Sequence, residues 1–257
     1  MSLLSRFTSD ADNGINVVIM GATGGIGYAL ANSLLSLDNI ACLYLISRTP
    51  FDQNTLPATI ARDKVQVLRL DYEDEASIEL AAKQTDVAID IMIVATGILH
   101  DDAGLAPEKS IQQLTTANFT KNLLVNAIGP SLVAKHFLPR MRRNTKAVFA
   151  ILSARVGSIS DNRLGGWYAY RASKAAVNMM IKTLSIELAR RHPQHIIVGL
   201  HPGTVDTALS KPFQRNVPSQ ALFDAKYSAH CLLSVINQLS VADSGFCFAW
   251  DGQRILE

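Results

Sequence analysis

The chain has 257 residues, 48% hydrophobic and 18% charged, with 15 Gly and 9 Pro, a size that suits one large domain and a composition that excludes a disordered, collagen-like or coiled-coil protein. Its 24 basic and 22 acidic residues leave a formal charge of +2, too small for nucleic acid or an anionic membrane to be the expected partner. A small molecule is expected instead.

The opening MSLLSRFTSDADNG lacks the apolar core of a signal peptide. Residues 1–13 are therefore expected to be a loose extension of a single cytoplasmic domain spanning 1–257. The most apolar stretch, Val87 to Leu99, is too short to cross a bilayer and contains Asp90. Three cysteines, Cys42, Cys231 and Cys247, lie far apart with no CxxC pair, which fits reduced thiols.

Seven short apolar runs follow in order: INVVIM (15–20), ACLYLIS (41–47), VQVLRL (65–70), VAIDIMIVA (87–95), AVFAILS (147–153), HIIVGLH (195–201) and GFCFAW (245–250). Helical patterns lie between them. Leu30, Leu34 and Leu37 mark one apolar helix face, and longer patterns cover about 116–142 and 170–191. Strands alternating with helices of this length predict an α/β protein, a Rossmann-type doubly wound sheet of about seven parallel strands with helices on both faces.

The first strand runs into GATGGIG, with glycines at 21, 25 and 27 and Thr23, Gly24 and Ile26 between them. A Gly-rich turn between a strand and a helix lets main-chain N–H groups and the helix N-terminus approach a pyrophosphate, so the loop predicts a dinucleotide site; a bare tight turn is the bland alternative. The second strand ends in Ser47, Arg48, Thr49. A carboxylate there would suit the ribose 2′-OH of NAD; an Arg suits the 2′-phosphate, and NADP(H) is the expected cofactor. Asp71, with Tyr72 beside it in the expected cofactor site, stands after the third strand, where it can accept from an adenine amino group or cap a helix.

Tyr170 and Lys174, four apart, share one helix face. An ammonium beside a phenol lowers the phenol pKa towards the range useful for proton transfer, so the pair predicts acid/base chemistry. Other charged residues have blander readings. His100, Asp101 and Asp102 either border a substrate pocket or solvate a loop. Arg140, Arg142, Arg143 and Lys146 read as a solvated cap at a helix end rather than a nucleic-acid patch. His192 and His195 flank Pro193 with no Cys or carboxylate near them in sequence, so no metal is expected.

Taken in order, the motifs resemble the short-chain dehydrogenase/reductase superfamily: Gly-x3-Gly-x-Gly, Ala95-Thr96-Gly97, Asn126, a Ser-bearing fifth strand, Tyr170-x3-Lys174 and Pro202-Gly203-x-Val205-x-Thr207. The resemblance spans about Ile15 to Gly252, and Ser153 to Asn178 is similar to the branch containing the myxobacterial C-factor and Sniffer-like carbonyl reductases. It implies an NADP(H)-dependent oxidoreductase that reduces an aldehyde, ketone or quinone. Tyr170 would be its proton donor, Lys174 would lower the phenol pKa and hold the nicotinamide ribose, and Asn126 would position a water towards Lys174. A serine, Ser153, would orient the substrate oxygen. It further implies that Ala95, Thr96 and Gly97, then Pro202, Gly203, Val205 and Thr207, border the cofactor, and a homodimer or homotetramer is compatible with two long helices. The C-factor likeness also leaves open a dinucleotide-binding signalling protein with little turnover.

Three departures from the family pattern are visible. Met20 replaces a Thr before the first glycine, and Ala95 replaces the Asn of an Asn-Ala-Gly motif. Ser153 lies 17 residues before Tyr170 where about 13 is usual, with Ala154 in the alternative register and Ser158 as the competing serine. The loop from Ala208 to Gln220, expected to cover the substrate, carries no recognisable code.

Overall fold

Four of the six residues of β1 (Ile15–Met20) are β-branched, and all six are buried, as a strand covered on both faces requires. Residues 3–7, 14–57 and 62–256 are described by the structure, a computed structural model. Strand β1 pairs in parallel with β2 (Ile40–Ser47) on one side and β4 (Ile91–Val94) on the other. The remaining strands are β3 (Val65–Arg69), β5 (Ala147–Leu152), β6 (His195–His201), and a short parallel pair outside the main sheet, β7 (Thr204–Val205) and β8 (Leu222–Phe223). Strands β9 (Cys247–Ala249) and β10 (Arg254–Ile255) close the main sheet, whose order is β3-β2-β1-β4-β5-β6-β9-β10.

The sheet thus has eight strands, where seven were expected, and β10 runs antiparallel to β9. Two residues are too few to show a hydrophobic period, so sequence patterning passes over β10. The fourth strand is also shorter than its apolar run. Asp90, just before it, still bonds Asn16 and Val148 through its main chain, while its carboxylate accepts from the main-chain N–H of Asn16 (2.9 Å) and pairs with Nε of Arg142 (2.5 Å). Arg142 is therefore half-buried in an ion pair with the buried Asp90, not part of a solvated cap.

Alternation along β1 separates two cores. Val17 and Ile19 face α1 (Gly25–Leu35) and α6 (Ala225–Gln238); Val18 and Met20 face α2 (Glu75–Gln84), α4 (Gly129–Phe137) and α5 (Tyr168–Ala189). The helical pattern expected over 116–142 is α3 (Thr116–Leu123), a π-helical turn at Leu124–Ile128, and α4, which stops at Phe137 because Pro139 cannot continue the ladder.

The chain's beginning differs from expectation. Leu4 is 0% exposed and Phe7 is buried in the α1/α6 core, and the N–H of Arg6 donates to Oδ1 of Asn237 (2.9 Å). Residues 3–7 of the supposed loose extension are therefore docked; its other residues lie outside those described. Lys146 helps here, since its Nζ lies 4.5 Å from the Phe7 ring and donates to the carbonyl of Asn237 (2.8 Å). The helix end it caps belongs to α6, 90 residues away, rather than to the helix before it. Among the described residues no helix is long and apolar enough to cross a membrane.

What matters for function is the reversal of strand order between β1 and β4. The chain lays β2 and β3 to one side of β1, then crosses to begin the other side with β4. Loops leaving the carboxyl ends of these two strands diverge and open a crevice, the place where doubly wound sheets bind ligands.

Candidate functional site

Three adjoining hollows of about 310, 350 and 240 Å³ run along that carboxyl edge and share lining residues from one to the next. Every residue expected in the site lines at least one of them except Gly27 and Asn126.

The first hollow lies over β1 and β2. Gly21 leaves β1 at φ +84° with its N–H on the carbonyl of Ile46 (2.8 Å), which bends the chain into α1. Thr23, Gly24 and Gly25 are exposed at the helix N-terminus, where first-turn amides and the helix dipole favour an anion, although the N–H of Gly24 is taken by the carbonyl of Gly21 (3.0 Å). Gly27 is buried behind them because its Cα passes under Gly21; a Cβ there would lie 2.2 Å from the Gly21 carbonyl oxygen. Its place is structural.

At the rim, Ser47 turns inward to the carbonyl of Thr49 (2.6 Å), while Arg48 is exposed and has no hydrogen-bond or ion-pair partner among the described residues. Asp71 folds back on the N–H of Glu73 (3.1 Å), and the cap of α2 is Asp74, not Asp71. Tyr72 shares a hydrogen bond with Thr96 (2.7 Å) and packs against Gly129, where any Cβ would strike its ring. Burial raises the Tyr72 pKa well above that of an ordinary phenol. Ala95 still links β4 to β1 through its N–H on the carbonyl of Met20 (2.8 Å), so the missing family Asn costs no ladder bond there.

The second hollow lies over β4 and β5, with Tyr170 and Lys174 on its wall. Both are buried, at 8% and 2% exposure. Nζ of Lys174 donates to the carbonyl of Leu152 (2.8 Å) and stands 5.8 Å from the centre of the Tyr170 ring. The phenol pKa is not lowered as the i, i+4 spacing led us to expect. Burial pushes it up to about 12, and burial pushes Lys174 down to about 8. Desolvation penalises both charged forms, and a lysine whose ammonium is turned to a carbonyl does not offset it for the phenolate.

Asn126 sits in the π-helical turn, 1% exposed, behind Gly97. Its Oδ1 accepts from the N–H of Ile98 (2.8 Å), and its Nδ2 donates to the Ile98 carbonyl (2.9 Å) and to Oγ of Ser173 (3.0 Å). Ser173 in turn donates to the carbonyl of Tyr170 (2.7 Å). The side chain thus joins the β4 loop to the first turns of α5.

The third hollow, over β5 and β6, is bounded by Tyr170, Ser153, Trp167, His201, Leu209 and Phe213. Ser153 faces both this hollow and the second. Ser158 faces neither, because its hydroxyl accepts from the N–H of Asp161 (3.1 Å) within its own turn. Trp167 meets Phe213 edge to face (5.2 Å) and Tyr170 likewise (6.2 Å). Phe213 belongs to the 208–220 loop that was expected to cover substrate. His100 lines the second hollow and its Nε2 contacts the Ala208 carbonyl (3.1 Å), whereas Asp101 turns away to pair with Lys121 and Asp102 lines none of the three.

Sequence reasoning passed over Trp167, His201 and Phe213. The signals were present: His201 adjoins Pro202, and Trp167 ends a Gly-Gly turn three residues before Tyr170. A lone aromatic has no spacing to identify it, and burial pushes the His201 pKa down to about 4, so its ring is neutral at physiological pH.

Comparison with known proteins agrees with this architecture. Residues 16–218 match the family described as short chain dehydrogenase. Over 139 residues, 54% of this chain and 78% of that one, the sequence is 34% identical to the C-signal of Myxococcus xanthus. The fold is similar to that of an NADPH bound carbonyl reductase from chicken fatty liver, with a TM-score of 0.81 and 26% identity over 95% of this chain and 100% of the other. The carbonyl reductase Sniffer of D. melanogaster shares the fold at a TM-score of 0.78 and 22% identity, over 95% of this chain and 100% of its own.

Proposed function

Because this chain belongs to the short-chain dehydrogenase family, an oxidoreductase family, we propose that it is an NADP(H)-dependent reductase of an aldehyde, ketone or quinone, built as one domain. The observation that carries the reading is the buried Tyr170 phenol. It lies where a hollow continuous with the phosphate loop meets one walled by Trp167, Leu209 and Phe213.

The residues present fit the cofactor. A Cβ at Gly25 would lie 2.6 Å from Cγ2 of Thr207, so only glycine leaves the main chain open at the start of α1. The amides of Thr23 and Gly25 would hold the pyrophosphate, and Arg48, without a partner among the described residues, a 2′-phosphate, as no carboxylate ends β2. Asp71, Tyr72 and the Ala95–Gly97 loop would border the adenosine half, and Pro202, Gly203, Val205 and Thr207 the nicotinamide half. Similarity to an NADPH bound carbonyl reductase supports the same choice. When bound, NADPH supplies the hydride that reduces the carbonyl carbon.

The chain's own contribution is the proton. With its pKa pushed to about 12, Tyr170 holds its proton at neutral pH and can give it to the carbonyl oxygen. Lys174, still an ammonium below about pH 8, shares the wall with Tyr170 and would hold the nicotinamide ribose. Asn126 keeps the β4 loop and α5 in register through Ile98 and Ser173. Ser153 is the serine within reach of a substrate oxygen.

Purified protein incubated with NADPH and a panel of aldehydes, ketones and quinones is expected to consume NADPH with at least one of them. Tight NADPH binding with no turnover across the panel would favour the second reading, a dinucleotide-binding signalling protein, which the 34% identity to the C-signal supports.

A further inference from the structure

Helix α5 begins without a cap of its own. Its N-cap residue is Trp167, held at φ 54° and ψ 42°, a left-handed conformation that a bulky side chain rarely adopts, and its side chain supplies no acceptor to the first turn. The acceptors come from Glu108, about 60 residues earlier. Its main-chain carbonyl takes the N–H of Trp167 (2.5 Å), and its carboxylate Oε2 takes the N–H of Ala169 (3.2 Å). Tyr170 is the next residue.

Glu108 is 2% exposed, and Nδ2 of Asn118, in the first turn of α3, lies 3.4 Å from its other carboxylate oxygen. Burying a carboxylate is costly unless hydrogen bonds or dipoles compensate it, and here the compensation is the amide end of α5. One buried acid therefore ties the 102–110 segment and α3 to the first residues of the helix that carries Tyr170 and Lys174. The main-chain carbonyl of the same residue holds the N–H of Trp167, whose indole meets both Tyr170 and Phe213 edge to face. Losing the carboxylate would leave the N–H of Ala169 without its acceptor and loosen the first turn of α5, and through that turn the adjoining Trp167.

We propose that Glu108 is a positioning residue for Tyr170 and for the Trp167 wall of the third hollow. The first half of this assignment rests on the reading of Tyr170 as proton donor. It needs an acceptor oxygen at the N–H of Ala169 rather than a negative charge, and this separates it from a general dipole effect.

The test uses the full chain with Glu108→Ala and Glu108→Gln, each in wild-type and Trp250→Phe backgrounds, the latter so that emission reports Trp167 alone. Misplacing a reacting group by about an ångström costs on the order of a hundredfold, so Glu108→Ala is expected to lower kcat by about ten- to a hundredfold. NADPH affinity should stay within about twofold, since the phosphate loop is untouched, and Trp167 emission should shift to the red. Glu108→Gln keeps an acceptor oxygen and is expected to recover kcat to within about threefold. Unchanged kcat in folded Glu108→Ala, or equal losses in both variants, would overturn the assignment. If the wild-type protein shows no reductase turnover, the activity reading fails separately; unchanged Trp167 emission in Glu108→Ala would then overturn the positioning role.

Discussion

Oγ of Ser153 donates to Oδ1 of Asn178 across 2.6 Å, joining the end of β5 to α5 one turn beyond Lys174. The same oxygen accepts from Sγ of Cys247 (3.3 Å). The hydroxyl proton of Ser153 is held by Asn178 here, so Ser153 must exchange that bond to donate to a substrate carbonyl oxygen, which can only accept. A net hydrogen bond between neutral groups contributes about 0.5–1.5 kcal/mol, so Ser153→Ala should lower kcat/KM by roughly ten-fold rather than a thousand-fold, with NADPH affinity preserved. Ser158→Ala should leave kcat/KM unchanged, because its hydroxyl serves the Asp161 turn. Steady-state kinetics of both variants decide it, and the reverse ranking would transfer the role to Ser158.

For Tyr170→Phe the ring remains and only the proton is lost. Carbonyl reduction should fall by about 10² to 10⁴ while NADPH binds as before. Near-normal turnover would end the proposed chemistry. The pH dependence carries a sign as well. Tyr170, pushed to about 12, stays protonated throughout the working range, so the first group to titrate on the basic side is Lys174, pushed to about 8. A pH–rate profile of kcat/KM for reduction should accordingly fall as pH rises through about 8; a profile flat to pH 10 would show that the ammonium takes no part.

Arg48 is exposed on the rim of the first hollow and has no partner among the described residues, which leaves its guanidinium available to a phosphate. NADPH is expected to bind more tightly than NADH, and Arg48→Ala should erase most of the difference, since a charge-assisted hydrogen bond contributes about 1.5–3 kcal/mol. Fluorescence titration of both nucleotides into both proteins measures it. A wild-type preference for NADH would refute the assignment.

His201 links stability to acid. Its Nδ1 is buried and finds no hydrogen-bond partner among the described residues, and burial pushes its pKa from the usual 6.5 down to about 4. Above pH 6.5 folded and unfolded chains both carry it neutral. Between 6.5 and 4 the unfolded chain takes up a proton that the folded chain resists, so stability drops as pH falls through that window, by about 2–3 kcal/mol from this residue. His201→Asn should show a smaller loss between pH 6.5 and 4.5 in urea unfolding. Equal losses in the two proteins would remove His201 as the source.

Much of this protein was legible in one dimension, because the deciding physics is local. Seven of the main sheet's eight strands coincide with apolar runs, since a strand covered on both faces must be apolar along its length. The glycines at 21, 25 and 27 predict a turn that lets the main chain approach an anion, and each occupies a position where a Cβ would collide. Tyr170 and Lys174 share a wall because four residues make about one helical turn. What no spacing encodes is which distant group completes each local need. Leu4 enters a core built from α1 and α6, Lys146 caps a helix end 90 residues away, and Glu108 caps α5 in place of Trp167. The direction of the Tyr170 pKa was decided the same way. Sequence places an ammonium near the phenol, but only the packed fold removes water from both groups and turns Lys174 to the carbonyl of Leu152, and desolvation then outweighs the charge.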